Sequence, residues 1–328
     1  MNIMHVISTQ HCLYLNCKLV SYSFNIGVEV TQEATYRNIL TIRVNIWLEM
    51  CLKFTISLQI LACLFSITSA SNILAIIPFR IDSHFTIFEN LLKGLATRGH
   101  RVTVVSHYPQ KYPVENYVDI SLLGSLPSTK DNVSLSFVET INSGLFATFM
   151  LGFATKSCES VYMHPNVKEL IKTSDKFDLV INEIWGNDCF LGLVHKLSVP
   201  HIGIITSVAY PWSNYRVANP DNPSYIPNYF LPYNQVMSFR QRLVNTVFTF
   251  ASKYLYCYLS EIPTYKIASD NLGENLPPLS EIAKTTSLIF VNSHYSINQP
   301  RPKVPSFIEV AGLHIKEAKQ LPEVNLIK

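Results

Sequence analysis

The sequence predicts an α/β fold, a doubly wound parallel sheet with helices on both faces. Two strand–helix–strand repeats support this, one opening at Ser71 and the other at Phe177. Each predicted strand is a nearly continuous apolar run, the pattern of a strand covered on both faces of a parallel sheet. With 48% hydrophobic and 15% charged residues, the 328-residue chain can fill such a core.

The first repeat reads as strand, helix and strand. Asn72–Phe79 is the first predicted strand, and Arg101–Val105 alternates toward the second. We expect Ser83 to cap the helix between them and Gly99 to end it in a left-handed conformation. One apolar stripe at helical spacing comprises Phe85, Phe88, Leu91, Leu92, Leu95 and Ala96.

His84 lies where the first strand has ended and the first helix begins. Ligands of open α/β sheets bind just beyond the carboxyl ends of the strands. The positive end of the helix dipole disfavours an imidazolium, so we expect a neutral ring that can accept a proton. On position alone, a histidine that only helps to cap the helix is the commoner case.

The second repeat places two carboxylates beyond a strand. Its elements are a strand at Phe177–Asn182, a helix at Phe190–Leu197 and a strand at Val199–Thr206. Glu183 and Asp188 lie between the strand and the helix, where a carboxylate can orient the imidazole of His84. We favour Asp188, because backbone amides readily fix a short side chain at a helix start; Glu183 and a simple N-cap role for Asp188 remain alternatives.

Further elements connect and follow the repeats. The predictions are a strand at Tyr117–Leu122, helices at Leu145–Val161 and Pro165–Thr173, an irregular loop at Ala209–Tyr233, a long helix at Met237–Tyr258 and a buried strand at Ser287–Asn292. One side of the long helix carries Phe239, Leu243, Val247, Phe250 and Tyr254, and its cations are Arg240, Arg242 and Lys253. We favour a partly buried helix with a solvated basic face over one lying in a membrane interface.

The start of the chain predicts a targeting segment. Residues 1–49 show no clear pattern, and we interpret them as an upstream extension outside the fold. Residues 50–70 combine Lys53, an apolar core at Phe54–Ile67 and small residues before Ser71, which is typical of a signal peptide. If residues 1–49 are translated, the same apolar stretch could act as an uncleaved anchor.

The cysteines, a glycosylation sequon and the net charge indicate the cellular compartment and the kind of partner. After cleavage Cys158, Cys189 and Cys257 remain; we expect a Cys158–Cys189 disulfide and a buried thiol at Cys257. Asn132 begins a glycosylation sequon, which fits a secretory-pathway protein in the endoplasmic reticulum lumen. The net charge of +3 predicts no nucleic-acid partner, and neither a glycine-rich phosphate loop nor a metal motif occurs.

Two stretches resemble the UDP-glycosyltransferases of the glucuronosyl/glucosyl type. The first is SHF followed by a helix that ends in RGHRVTVVS, and the second, similar to insect members, is VNSHYSINQPRP with PSFIEVAGLHI. The resemblance covers about residues 71–321. It implies the Rossmann-like N-terminal half of a GT-B enzyme: an acceptor-binding domain at 71–315, the start of a linker at 316–328, and a missing second domain. That domain's His-Gly-Gly motif is absent, since the sequence has no Gly-Gly pair.

The resemblance also implies roles. His84 would deprotonate the acceptor hydroxyl with inversion at the sugar, and UDP-sugar would be a co-substrate rather than a cofactor. The vertebrate pattern has an Asp at the position of Glu183, whereas insect-like sequences end this loop in Asp-Cys, as at Asp188. His100 and His294 would be structural. Residues expected to line the acceptor site are Phe85, Phe149, Trp185, Tyr210 and Trp212.

Two functions from different classes follow. The first is a detoxifying transferase that moves a hexosyl group from a UDP-sugar to a small lipophilic acceptor such as a phenol, steroid or plant toxin. Its expected partners also include a membrane surface and oligomers with family members. The second is a non-catalytic, truncated isoform that binds lipophiles or regulates full-length enzymes. An in-frame transcript that encodes a donor-binding domain separates the two, and the isolated 71–328 fragment is expected to be inactive.

Overall fold

A computed structural model describes residues 47–57, 70–126, 143–172, 176–273 and 275–316, with the backbone alone at 143–149. The chain comprises two compact units, Met1–Thr68 and Ser69–Lys328. In the first unit residues 47–57 are helical, and the second unit holds the elements described below. The predicted cleavage region after residue 57 and the sequon at Asn132 lie outside the described residues.

Seven parallel strands form one sheet in the order β3-β2-β1-β4-β5-β6-β7. The strands are β1 (Asn72–Ile77), β2 (Arg101–Ser106), β3 (Tyr117–Ser121), β4 (Leu179–Glu183), β5 (His201–Ile205), β6 (Leu288–Val291) and β7 (Phe307–Glu309). Chain order reverses between β1 and β4, which makes their junction the topological switch point of the sheet.

Helices cover both faces of this sheet, as the sequence predicts. They are α1 (Asp82–Thr97), α2 (Ser143–Met163), α3 (Pro165–Lys172), α4 (Cys189–Leu197), α5 (Phe239–Tyr256), α6 (Ile262–Leu272), α7 (Leu279–Ala283) and α8 (Tyr295–Asn298). On one face Ile73 and Ala75 of β1 pack with α1. On the other, Leu74 and Ile76 pack with residues of α2, α3, α4 and α6. The doubly wound α/β fold is therefore confirmed.

The start of α1 differs from the prediction. The helix begins at Asp82, its capping position is Ile81, and no side chain caps it. The carbonyl of Ile81 accepts hydrogen bonds from the amides of His84 (3.2 Å) and Phe85 (3.1 Å), so Ser83 lies inside the first turn and is not the N-cap. Gly99 has φ +88° and ends the helix as predicted.

The long helix α5 has the opposite orientation to the one we favoured. Its apolar residues face outward, with exposed fractions of 75% for Phe239, 54% for Leu243, 62% for Val247, 63% for Phe250 and 71% for Tyr254. Its buried residues are Asn245, Thr249, Ser252 and Tyr256. Helical spacing sets the period of an apolar stripe but not the direction in which it points, and the packing reversed that direction.

The cysteines follow the prediction only in part. Cys158 of α2 and Cys189 at the start of α4 form a disulfide, the expected pair. Cys257 is exposed, so the prediction that it is buried is wrong. It opens the π-helical turn Cys257–Glu261, directly after α5, and continues the outward side of that helix.

Candidate functional site

Three side chains converge where the sheet reverses its order. His84 lies in the first turn of α1, after β1; Glu183 is the last residue of β4; Thr206 directly follows β5. Strands β1, β4 and β5 are adjacent and parallel, so their carboxyl ends share one edge. Because ligands of such sheets bind at the switch point, this edge is the candidate site.

His84 and Glu183 are hydrogen-bonded. His84 Nδ1 lies 2.5 Å from Glu183 Oε1, and Thr206 Oγ1 donates to the same oxygen at 2.9 Å. Thr206 Oγ1 is also 3.2 Å from His84 Nδ1. An ionised carboxylate only accepts hydrogen bonds, so Nδ1 carries the hydrogen. The lone pair of Nε2 is then the proton acceptor of the neutral ring.

The environment of the pair decides its proton affinity. The side chain of Glu183 is fully buried, while that of His84 is 18% exposed. Burial lowers the pKa of His84, but the charge of Glu183 and the hydrogen bond to it raise that pKa more, and the net shift is upward from 6.5. We expected the helix dipole to lower the pKa of His84 and so to favour the neutral ring. The pKa shifts upward instead, because the carboxylate of Glu183 outweighs the other effects.

Thr206 was not singled out from the sequence. Its carbonyl accepts a hydrogen bond from Asn292 Nδ2 at 3.0 Å, which ties it to the chain just after β6. Thr206 ends the predicted strand Val199–Thr206, one strand from Glu183. Its place at the end of a predicted strand is the one feature of the sequence that could have pointed to Thr206 as a site residue. That place becomes informative only once β4 and β5 are known to be neighbours.

Aromatic rings lie beside the imidazole. The ring centroid of Trp185 is 5.6 Å from that of His84, and that of Phe79 is 6.3 Å away. Phe79 also contacts Trp185 at 4.4 Å and stacks with Phe153 of α2 at 5.9 Å. The polar pair therefore adjoins an apolar aromatic wall, and Trp185 is the predicted acceptor-site residue that lies next to His84.

Asp188 does not reach His84. Both of its oxygens bind Arg216 Nη2, at 2.7 and 2.8 Å, and Tyr256 Oη donates to Oδ2. All three side chains are buried. Burial lowers the pKa of Arg216, but Asp188 raises it more, so the guanidinium stays charged. Our preference for Asp188 as the partner of His84 is wrong, because Arg216 and Tyr256 occupy its oxygens; the alternative, Glu183, is the partner.

The other predicted lining residues have structural positions. Phe85 packs between α1 and the sheet and stacks on Tyr108 at 4.9 Å. Tyr210 and Trp212 are each 2% exposed and stack on one another at 5.3 Å. Trp212 Nε1 donates to the carbonyl of Trp185 at 2.9 Å, so Trp212 helps to fix the backbone at Trp185. The side chain of Phe149 lies outside the described residues.

The two other histidines of the motifs make local contacts. His100 Nδ1 accepts a hydrogen bond from the amide of Ser71 at 3.2 Å, and His294 Nδ1 accepts one from the amide of Ser296 at 3.3 Å. Within the described ranges, no group of three or more His, Cys, Asp and Glu residues is arranged to hold a metal ion.

The chain is similar to several known proteins. The family profile of UDP-glucuronosyl and UDP-glucosyl transferases matches residues 73–326. UDP-glucosyltransferase 2 of Dactylopius coccus is 35% identical over 268 residues, which cover 81% of this chain and 52% of that protein. The 2-hydroxyacylsphingosine 1-beta-galactosyltransferase of Mus musculus is 25% identical, covering 78% and 48%. The chain thus spans about half the length of the curated relatives it matches.

Two solved structures are also similar. UGT71G1 from Medicago truncatula, complexed with UDP-glucose, is 17% identical with a TM-score of 0.39, covering 74% of this chain and 52% of that one. The calicheamicin glycosyltransferase CalG4 is 14% identical with a TM-score of 0.39, covering 74% and 53%.

Proposed function

Because the chain belongs to the UDP-glucuronosyl and UDP-glucosyl transferase family, we propose that it supplies the acceptor-binding half and the catalytic base of a hexosyltransferase. The single observation that carries the proposal is the 2.5 Å contact between His84 Nδ1 and the buried carboxylate of Glu183. It leaves Nε2 as the basic atom, at the sheet edge where ligands of this fold class bind.

In the proposed reaction the acceptor hydroxyl oxygen attacks the anomeric carbon of a UDP-sugar. The new bond joins that oxygen to the carbon as the bond from the carbon to the phosphate oxygen breaks, so UDP leaves and the configuration inverts. The hydroxyl proton passes to Nε2 of His84, and Glu183 stabilises the imidazolium. A base of this kind contributes about a hundred- to ten-thousand-fold in rate. The raised pKa of His84 favours this proton transfer.

The surroundings of His84 support a lipophilic acceptor. Phe79, Phe153 and Trp185 present apolar surface beside the imidazole. The indole Nε1 of Trp185 is buried and has no hydrogen-bond partner among the described residues, so an acceptor's oxygen is a suitable partner for it. A phenol offers both features, an aromatic ring and one hydroxyl.

The UDP-sugar is proposed to bind mainly to a second half, outside the matched region. The relatives are about twice as long as the matched region, which leaves room for that half. No described residue is assigned to the donor, and no cofactor or metal takes part in the proposal. The choice of sugar would depend on the second half.

The secretory pathway is the proposed location. The Cys158–Cys189 disulfide supports an oxidising compartment such as the endoplasmic reticulum lumen. The signal peptide at 50–70 and the glycosylation of Asn132 belong to the same proposal. Within the described part of the chain, no helix is both long and apolar enough to cross a bilayer.

Turnover tests the roles of His84 and Glu183 directly. In a form of the protein that also carries a donor-binding half, His84→Ala is expected to lower kcat by about a hundred- to ten-thousand-fold with UDP-glucose and 1-naphthol. Glu183→Gln should impair kcat, and Glu183→Asp should restore part of it, because it keeps the carboxylate. Undiminished turnover by His84→Ala would refute the proposed base.

Binding separates the enzyme from a lipophile-binding module. We expect 1-naphthol to quench the fluorescence of Trp185 in the present chain, and Trp185→Phe to remove that response. Both functions predict this binding, but only the enzyme predicts that His84→Ala spares binding while it lowers turnover in the longer form. Binding of 1-naphthol without any turnover in that form would favour the non-catalytic module.

A further inference from the structure

Helix α5 is inverted relative to an ordinary surface helix. Its outward face carries what we term the apolar stripe, formed by Phe239, Leu243, Val247, Phe250 and Tyr254, each between 54% and 75% exposed. Its inward face is mostly polar: it includes Asn245, Thr249 and Ser252, beside Tyr256 and the partly buried Phe248. A surface helix of a globular protein normally turns its apolar side to the core, so this arrangement requires a reason.

Hydrogen bonds fix the rotation of α5 about its own axis, with the apolar stripe outward. Asn245 Oδ1 accepts from the amide of Asn228 at 2.8 Å, and its Nδ2 donates to the carbonyls of Pro223 (2.7 Å) and Ile226 (2.8 Å). The side-chain amide of Asn228 also donates to Thr249 Oγ1 at 3.1 Å. Turning the apolar stripe inward would break all of these buried bonds, so the outward orientation is part of the fold.

The apolar stripe is narrow and continuous. At 3.6 residues per turn its five members fall within an arc of about 80°. It continues past the end of α5 in Tyr258 and Ile262, which are 62% and 56% exposed. Contiguous apolar surface of this kind marks an interaction site rather than ordinary solvent exposure.

The charges beside the apolar stripe are positive. Arg240 follows one edge of the arc, and Arg242 and Lys253 follow the other. No aspartate or glutamate occurs between Asp221 and Glu261, although Lys253 forms an ion pair with Asp221. A narrow ridge of large apolar side chains between cations complements an anionic lipid surface, where rings enter the interface and cations meet the headgroups.

We propose that α5 docks on the surface of an anionic phospholipid bilayer, with the apolar stripe inserted at the interface and Arg240 among the headgroups. The inference rests on α5 alone and does not depend on the reaction at His84. A second copy of the chain is the main competing occupant. A convex ridge flanked by cations on both sides opposes self-association, since two such ridges would bring like charges together.

Vesicle binding by the full 328-residue chain tests the docking. We compare phosphatidylcholine vesicles with vesicles that contain about one third phosphatidylserine, at a lipid concentration that sediments half of the wild-type chain. The triple variant Phe239→Gln, Leu243→Gln, Phe250→Gln should lower the affinity for the anionic vesicles by roughly tenfold or more. The matched control, Tyr112→Gln, Leu123→Gln, Ile297→Gln, removes apolar side chains elsewhere that are at least as exposed as their counterparts, and it should bind as the wild type does.

Two further measurements guard against misinterpretation. The apolar core of the predicted signal peptide, residues 54–67, is present in every variant. Any lipid affinity of its own therefore cancels in the ratio of a variant's vesicle affinity to that of the wild type. For a local signal, the fluorescence of Val247→Trp should be quenched by brominated lipid in anionic vesicles, whereas that of Ile297→Trp should not. Unchanged thermal unfolding of the triple variant would show that the loss is not misfolding.

Charge provides a separate check. Arg240→Gln should weaken binding to the anionic vesicles only and should reduce its dependence on salt. Equal vesicle binding by the triple variant and the wild type would overturn the proposal. So would a stripe-dependent dimer in sedimentation equilibrium that forms without lipid and does not bind vesicles.

Discussion

Two acid–base clusters lie at the two ends of one loop, and they differ in their exposure to solvent. Glu183 and Asp188 are five positions apart, and both are buried. Glu183 contacts His84, whose side chain is 18% exposed, whereas Asp188 contacts Arg216, whose side chain is fully buried. A pair with one accessible member can exchange a proton with a ligand. A pair sealed on all sides can only hold the loop in place.

The sealed cluster should show the largest effect on stability. Arg216→Met leaves the carboxylate of Asp188 buried with only Tyr256 as a partner, which is expected to cost about 3–5 kcal/mol in the free energy of unfolding. Urea unfolding followed by circular dichroism measures it. The double variant Asp188→Leu, Arg216→Met removes both charges and should recover much of the loss. A single variant as stable as the wild type would show that the buried ion pair does not hold the loop.

Protonation of the buried His201 should have the next largest effect on stability. Burial lowers the pKa of His201 to about 3, and His201 Nε2 donates to Asn182 Oδ1. Below pH 6.5 the unfolded chain binds a proton that the folded chain does not. Stability should therefore fall as the pH drops, by on the order of 2 kcal/mol between pH 6.5 and 4.5 from this residue.

The pH dependence of the denaturation midpoint measures this effect. His201→Gln should flatten the acid limb, even though it lowers the midpoint at neutral pH through lost packing. His84 contributes with the opposite sign: its raised pKa adds stability that is fully present below pH 6.5 and is lost as the pH rises through the folded-state pKa. An acid limb unchanged in His201→Gln would contradict the assignment.

The smallest effect is expected at Thr206. Thr206→Val removes the hydroxyl that donates to Glu183 Oε1 at 2.9 Å and should cost about 1 kcal/mol in stability. Thr206→Ser keeps the hydroxyl and should stay close to the wild type. Equal unfolding midpoints for the valine and serine variants would mean that this hydrogen bond does not support Glu183.

Local patterns were enough for six of the seven strands and for the position of His84, whereas β7 was not predicted. A buried parallel strand is a continuous apolar run wherever it occurs, so β1 and β4 could be recognised from their own residues. The place of His84 then followed from the strand–helix junction.

The partner of His84 could not be chosen in this way. Glu183 and Asp188 share one loop, and the choice between them depends on Arg216 and Tyr256, which lie 28 and 68 positions beyond Asp188. The direction of the apolar stripe of α5 depends similarly on Asn228, outside the helix. Both outcomes are set by tertiary contacts that no local period encodes.

The pKa of His84 is the most direct test of the account. NMR titration of the imidazole, assigned with His84→Gln, should give a pKa above 6.5 in the wild-type chain. In Glu183→Gln the charge that raises this pKa is gone while the burial that lowers it remains, so the pKa should fall below 6.5. A pKa unchanged by Glu183→Gln in a folded chain would show that the two residues do not act as a pair.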